Sequence, residues 1–287
     1  MEAASEVFIG TSGYSFADWV GPFYPPGPRS GDFLGYYATH FNCVEVNSTY
    51  YGIPEPRVLA NMERKTPDGF RFIVKLNQAM THEYSAEPAL YSRFLDVLQP
   101  LKAAGKFHGL LAQFPWAFRR DERSKAHLER LHTLLPDEPL WVEFRHDSWM
   151  HPKLAAWLAE RSLGYCAVDE PALPGLVPPV THVTNGIGYV RFHGRNTKHW
   201  WDTARLPRGG VAADARASAP RGTGRGDQLR YDYNYSEREL TEWITRINEL
   251  AKQAKQTYLF FNNCHAGQAA RNAKLMEELL RRSNPLL

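Results

Sequence analysis

The sequence predicts an α/β fold: a single (β/α)8 barrel of the TIM type, with a basic Gly-, Ala- and Arg-rich insertion after the seventh strand. Three observations predict it. Eight short runs rich in β-branched and aromatic residues punctuate the chain, helical patterns fall between them, and 287 residues suit one such domain.

The strands are expected at 7–11, 43–47, 71–76, 109–114, 140–145, 165–169, 187–193 and 257–262. The clearest helices are expected at 89–104, 123–134, 152–160, 236–255 and 267–281. Pro152 suits a first helical turn, where its missing N–H would be unpaired anyway. Ser236 and Glu239 fit a capping box, after which Leu240, Ile244, Ile247, Leu250 and Ala251 recur at helical spacing. Strands alternating with helices favour parallel pairing, and eight repeats favour a closed barrel over an open doubly wound sheet. No linker divides the chain, so 1–287 is expected to form one domain. Residues 202–230 hold six arginines against three aspartates, which accounts for the whole net charge of +3. That stretch reads as a mobile, solvated insertion, with a substrate cover or a polyanion contact as the alternatives.

Apolar residues make up 43% and charged residues 23%, a balance that supplies an ample core beneath a polar surface. The small net charge excludes a global field that would draw the chain to nucleic acid or a membrane. Cys43, Cys166 and Cys264 form neither a disulfide framework nor a zinc-ligand spacing, as expected of a reducing interior. Residues 1–6 show no signal-peptide pattern and no apolar run approaches membrane-spanning length, so a cytoplasmic location is expected.

Side chains alternate across a strand, so parity sorts them onto two faces. Glu45 and Asn47 oppose Val44 and Val46; Lys75 shares a face with Ile73; Gln113 opposes Ala112. Glu143 and Arg145 oppose Val142 and Phe144, Asp169 opposes Val168, and Arg191 and His193 oppose Val190 and Phe192. Asn263 is assigned with Phe261 to the corresponding face of the last strand. A barrel strand shows apolar residues to its helices, so the mixed face is the inward one. Its polar members fall late in seven strands, where barrel enzymes assemble their sites.

These residues resemble the YecE-like proteins (domain of unknown function 72), a family also described as sugar-isomerase-related. The resemblance runs nearly end to end, through Ile9-Gly10-Thr11-Ser12-Gly13-Tyr14, Trp19 and Glu45-Val46-Asn47-Ser48-Thr49-Tyr50-Tyr51. It continues through Phe72-Ile73-Val74-Lys75, Gln113-Phe114-Pro115, Val142-Glu143-Phe144-Arg145-His146 with Trp149, and Arg191-Phe192-His193-Gly194-Arg195-Asn196. Tyr231-Asp232-Tyr233-Asn234-Tyr235-Ser236 and Phe261-Asn262-Asn263 complete it. The resemblance implies a TIM-type barrel and no agreed reaction. Trp116 departs from a second proline, and 202–230 is longer than the usual connection.

Two carboxylates across a barrel mouth suit glycoside hydrolysis or proton abstraction next to a carbonyl. Glu143 or Glu45 is the expected base, Asp169 the second carboxylate, and His193 or Lys75 the group that stabilises developing charge. Arg145 or Arg191 would anchor an anion in a planar fork, with Asn47, Gln113 and Asn263 as polar contacts. Tyr14, Trp19, Tyr50 and Trp149 would wall the pocket, or else pack between loops. The expected function is an isomerase or hydrolase acting on a small sugar-like or phosphorylated molecule by carboxylate acid–base chemistry. The alternatives are a metal-dependent phosphodiesterase or nuclease, with nucleic acid reached through 202–230, and a non-catalytic ligand-binding barrel. Glu45, Glu143, Asp169 and His193 offer oxygen and imidazole ligands to a divalent metal, but no His-x-His or close acidic pair favours one. No metal site is therefore assigned.

Overall fold

Runs of β-branched and aromatic residues become strands wherever both faces find apolar partners. The computed structural model describes residues 5–27, 30–202 and 229–283, so most of the expected insertion at 202–230 lies outside the described residues. The strands are β1 (Glu6–Thr11), β2 (Cys43–Val46), β3 (Arg71–Lys75), β4 (Phe107–Gln113) and β5 (Leu140–Glu143). They continue as β6 (Leu163–Tyr165), β7 (Ala167–Asp169), β8 (Ile187–Phe192) and β9 (Gln256–Phe261).

The expected helices appear close to their expected places. They are α1 (Pro88–Ala103), α2 (Glu122–Leu134), α3 (Leu154–Ala159), α4 (Glu237–Gln253) and α5 (Gln268–Ser283). Ser236 caps α4 with the reciprocal Glu239 bond of a capping box, satisfying two amides that the first turn leaves open. The apolar stripe of α4, Leu240, Trp243, Ile244, Ile247, Leu250 and Ala251, is buried. Asp121 caps α2 by accepting the Ser124 N–H at 2.7 Å. Helix α3 starts two residues later than expected, leaving Pro152 in the preceding turn.

Every strand pair is parallel, as expected of an α/β fold. The ladders form two sheets, however, with orders β1-β9-β8-β7 and β2-β3-β4-β5-β6, and not one closed ring. The sixth expected strand divides at Cys166. Its first half pairs with β5 and its second half with β8, so one run serves both sheets. At the other junction, β1 and β2 share a single bridge, Ser12 to Glu45. The Tyr37 hydroxyl stands between these strands, accepting the Thr11 N–H at 2.9 Å and donating to the Cys43 carbonyl at 3.0 Å. A side chain thus supplies the partners that a continuous ladder would have supplied.

One face of each sheet packs under the helices. The other faces meet in a second apolar cluster that includes Phe8, Ile73, Leu111, Trp141, Tyr189, Tyr258 and Phe260, drawn from both sheets. Trp141 occupies space that two glycines leave. A Cβ on Gly109 would come within 2.3 Å of its ring, and one on Gly164 within 2.2 Å. This floor lies on the same faces as the charged residues described next.

Candidate active site

Alternation along β8 puts Tyr189 and Arg191 on the face shared by the two sheets. Arg191 donates from Nη2 to Glu45 Oε1 and from Nη1 to Glu143 Oε2, both at 2.6 Å, and reaches Ser12 Oγ at 3.3 Å. Tyr189 donates its hydroxyl to Glu45 Oε2 at 2.7 Å. Both carboxylates belong to the five-stranded sheet, whereas Arg191, Tyr189 and Ser12 come from the side of the other. Glu45 and Glu143 are fully buried and Arg191 is 2% exposed, a depth at which polar groups need the pairing they find here. Burial pushes the Glu143 carboxyl upward, but Arg145, Arg191 and His193 outweigh it and hold it well below the ordinary carboxylate range.

Arg145 lies two residues past β5 and joins three groups. Its Nε donates to Glu143 Oε1, its Nη1 to Glu170 Oε2 at 3.2 Å, and its Nη2 faces His193 Nε2 at 3.1 Å. The Trp200 ring covers the guanidinium at 5.9 Å. Glu170 also accepts the Val177 N–H at 3.1 Å. Burial pushes Glu170 up to about 7, against the pull of Arg145 and with the help of Glu143. His193, fully buried, lies 3.3 Å from Glu143 and 3.0 Å from the Asn262 amide. Burial and then Arg145 push it well below its ordinary value, so the ring is neutral despite Glu143.

Lys75 ends β3, half-buried, where it donates to Gln113 Oε1 at 2.8 Å and sits 4.3 Å above the Tyr50 ring. Burial and then Arg191 lower its amine to about 7, with Glu143 and Glu45 opposing. Gln113 is oriented by its own amide, which donates to the Phe114 carbonyl at 2.7 Å. Asn47 follows β2 with a buried Oδ1 that has no hydrogen-bond partner among the described residues.

The expected ring is therefore partly assembled, with two corrections of parity. Asp169 turns away from Glu143: Arg195 at 2.7 Å, the Tyr235 hydroxyl at 2.6 Å and the Trp243 indole at 2.5 Å hold its carboxylate. Its neighbour Glu170 takes the expected place. Asn263 likewise turns toward α5, donating to the Tyr233 carbonyl and Asn272, each at 2.7 Å, while Asn262 meets His193. Two aromatics are also structural. Trp19, fully buried, bonds the Cys264 carbonyl at 2.6 Å, and Trp149 bonds the Phe118 carbonyl at 2.7 Å and stacks on Phe144. Tyr14 is half-buried beside Tyr37, its carbonyl accepting the Tyr24 hydroxyl.

Sequence reasoning missed Glu170, Asn262, Ser12 and the lid-like position of Trp200. Glu170 shares its parity with Cys166 and Gly164, which face Trp141 across the inner cluster, but also with Val168, which packs in the outer one, so parity alone does not single it out. Trp116, 38% exposed, meets Trp201 edge-to-face at 5.7 Å and donates to the Gly175 carbonyl, in the loop whose Val177 bonds Glu170. Two surface depressions, one at Gly31 and Lys65 and one at His40 and Lys274, share no residue with this cluster. Among the described residues, no three His, Cys, Asp or Glu side chains stand together as a metal site, and no helix is long and apolar enough to cross a membrane.

The sequence pattern of a family described as "Protein of unknown function DUF72" matches residues 8–286. UPF0759 protein YunF of Bacillus subtilis (strain 168) is 31% identical over 286 residues, covering 96% of this chain and 94% of that protein. UPF0759 protein YecE of Escherichia coli (strain K12) is 35% identical over 98 residues, a third (33%) of each chain. The crystal structure of a DUF72 family protein from Thermotoga maritima MSB8 superposes with a TM-score of 0.82 at 36% identity, covering 96% of this chain and 99% of that one.

Proposed function

This chain belongs to the DUF72 family, and we propose that it is an enzyme that binds a small polar, sugar-like or phosphorylated molecule over its strand ends and moves protons there. The observation that carries the reading is the convergence of Lys75, Arg145, Glu170, Arg191 and His193 with Glu143 at and just past the C-terminal ends of strands from both sheets. In the same reading the two sheets are parts of one TIM-type barrel, joined through Cys166 and through the Ser12–Glu45 bridge. The mouth would then be the end at which such barrels carry their chemistry.

The roles follow from charge. Glu143 is held ionised by two arginines, so it fixes charge and does not exchange a proton near neutrality. The proton transfer first expected of Glu143 or Glu45 passes to Glu170 and Lys75, each of which titrates near 7. Arg145 positions Glu170, and the exposed Trp116 ring offers a stacking face for a sugar ring at the rim.

A metabolite screen of the wild-type chain against Lys75→Met and Glu170→Gln tests this. Both variants should keep the wild-type circular dichroism spectrum and lose at least about a hundredfold in turnover, the usual worth of a general acid or base. Turnover that survives both substitutions would refute the reading.

A further inference from the structure

We propose that Lys75 is a nucleophile that condenses with the carbonyl carbon of an aldehyde or ketone, so that the site takes open-chain sugars and related oxo compounds. This rests on reading the strand-end cluster as an active site, and it names the substrate class.

The argument begins with how lysines are otherwise satisfied in this chain. Lys106 is 2% exposed and fully paired, bonding Glu63 Oε1 and the Thr66 carbonyl at 2.9 Å each and the Glu63 carbonyl at 2.8 Å. Lys125 and Lys252 pair with Glu122 and Glu249, each at 2.6 Å. Lys75 makes no ion pair among the described residues. Its contacts are a neutral amide oxygen and an aromatic face, on the rim of a cluster that holds two arginines. Gln113 can aim the amine without taking its charge, and Tyr50, 6% exposed, forms an apolar floor beneath it. His82 meets the same ring edge-to-face at 5.1 Å.

The charges around the amine come from several elements. Arg191 and Arg145 oppose protonation, Glu143 and Glu45 favour it, and burial decides the balance toward the free base. With its value lowered to about 7, a far larger share of Lys75 is neutral near neutrality than of an ordinary lysine titrating near 10.4. The neutral Nζ attacks the carbonyl carbon and forms a C–N bond while the carbonyl oxygen gains a proton. The proton on that oxygen comes from nitrogen; the resulting carbinolamine then loses its hydroxyl as water after protonation from solvent, while nitrogen releases its remaining proton to solvent, leaving an imine. Amine and carbonyl thus become imine and water, with no oxidant or reductant needed.

The test treats the wild-type chain at neutral pH with glyceraldehyde and sodium cyanoborohydride, which reduces an imine to a stable amine, and then maps modified peptides by mass spectrometry. Lys75 should be modified at least tens-fold faster than Lys252 or Lys125. Lys75→Arg should abolish the fast adduct while leaving the slow surface reaction unchanged. An adduct on Lys75 no faster than on Lys252 overturns the proposal, even if Lys75→Met has lost turnover; proton transfer at the site would then stand alone. A fast adduct combined with turnover that survives both Lys75→Met and Glu170→Gln would instead overturn the enzymatic reading and leave only the nucleophile.

Discussion

Replacing Arg191 with Met removes the cation that Glu45 and Glu143 share. Both carboxylates are fully buried, and each loses a 2.6 Å charge-assisted bond. Glu143 keeps Arg145, whereas Glu45 keeps only the Tyr189 hydroxyl, so most of the cost falls on Glu45. Removing one partner of a buried ion pair costs about 3–5 kcal/mol, because the remaining charge is left uncompensated. The loss should depend on pH. In the wild type, the lowered value of Glu143 contributes stability above the unfolded carboxylate range, and that contribution is lost as pH falls through the folded value. In the variant Arg191 no longer helps to lower Glu143, so the deficit should be largest near neutrality and shrink in acid once Glu143 is protonated in the variant. Urea unfolding of both proteins at about pH 8 and about pH 5 measures the two deficits. A deficit below about 1 kcal/mol at the higher pH, or a larger one at the lower pH, would refute the reasoning. Should the Met variant fail to fold, Arg191→Lys retains the charge but loses the fork, and a smaller loss with the same pH trend is expected.

Lys75→Met should raise the melting temperature at about pH 6. The folded amine titrates near 7, below its unfolded value, so stability is withheld at low pH and recovered as pH rises; a variant that melts lower there would contradict this. Glu170 titrates near 7 in the folded chain, above its unfolded value, so the wild type should gain stability over Glu170→Gln as pH falls through about 7 toward about 4.3. Parallel stability curves would count against it. Trp141→Ala should cost about 3–5 kcal/mol in denaturant, because the glycines beside it cannot refill the space; a loss under 1 kcal/mol would show that the inner cluster collapses. Asp169→Asn should lower stability by weakening the Arg195 pair but should leave the Lys75 adduct rate unchanged, as assayed by the same peptide map.

Much of the architecture was legible because alternation and spacing are local. The capping box at Ser236 and the stripe along α4 follow from the sequence alone. Parity also succeeds at Glu45, Glu143 and Arg191, each opposed by apolar residues of the outer face. It fails at β9, where Tyr258, Leu259, Phe260 and Phe261 are apolar on both faces and offer no way to tell them apart. It fails again at Asp169, because the run from Leu163 to Asp169 changes partner sheets at Cys166. The opening between β1 and β2 could not be read at all, since it depends on a hydroxyl 26 residues from Thr11. Trp19 and Trp149 misled for a related reason: aromatics beside loops can wall a pocket or fill a core, and burial decides only after folding.

The bonds from Arg191 to Glu45 and Glu143 join parts of the chain that are distant in sequence and belong to different sheets. Such a clasp constrains inheritance as well as stability. A chimera that takes its first five strands from one relative and its last from another brings the two carboxylates and their arginine from different parents. It will assemble only where both parents keep the same charges, so the two sheets are bound to one another at these three positions in a way that the outer helices are not.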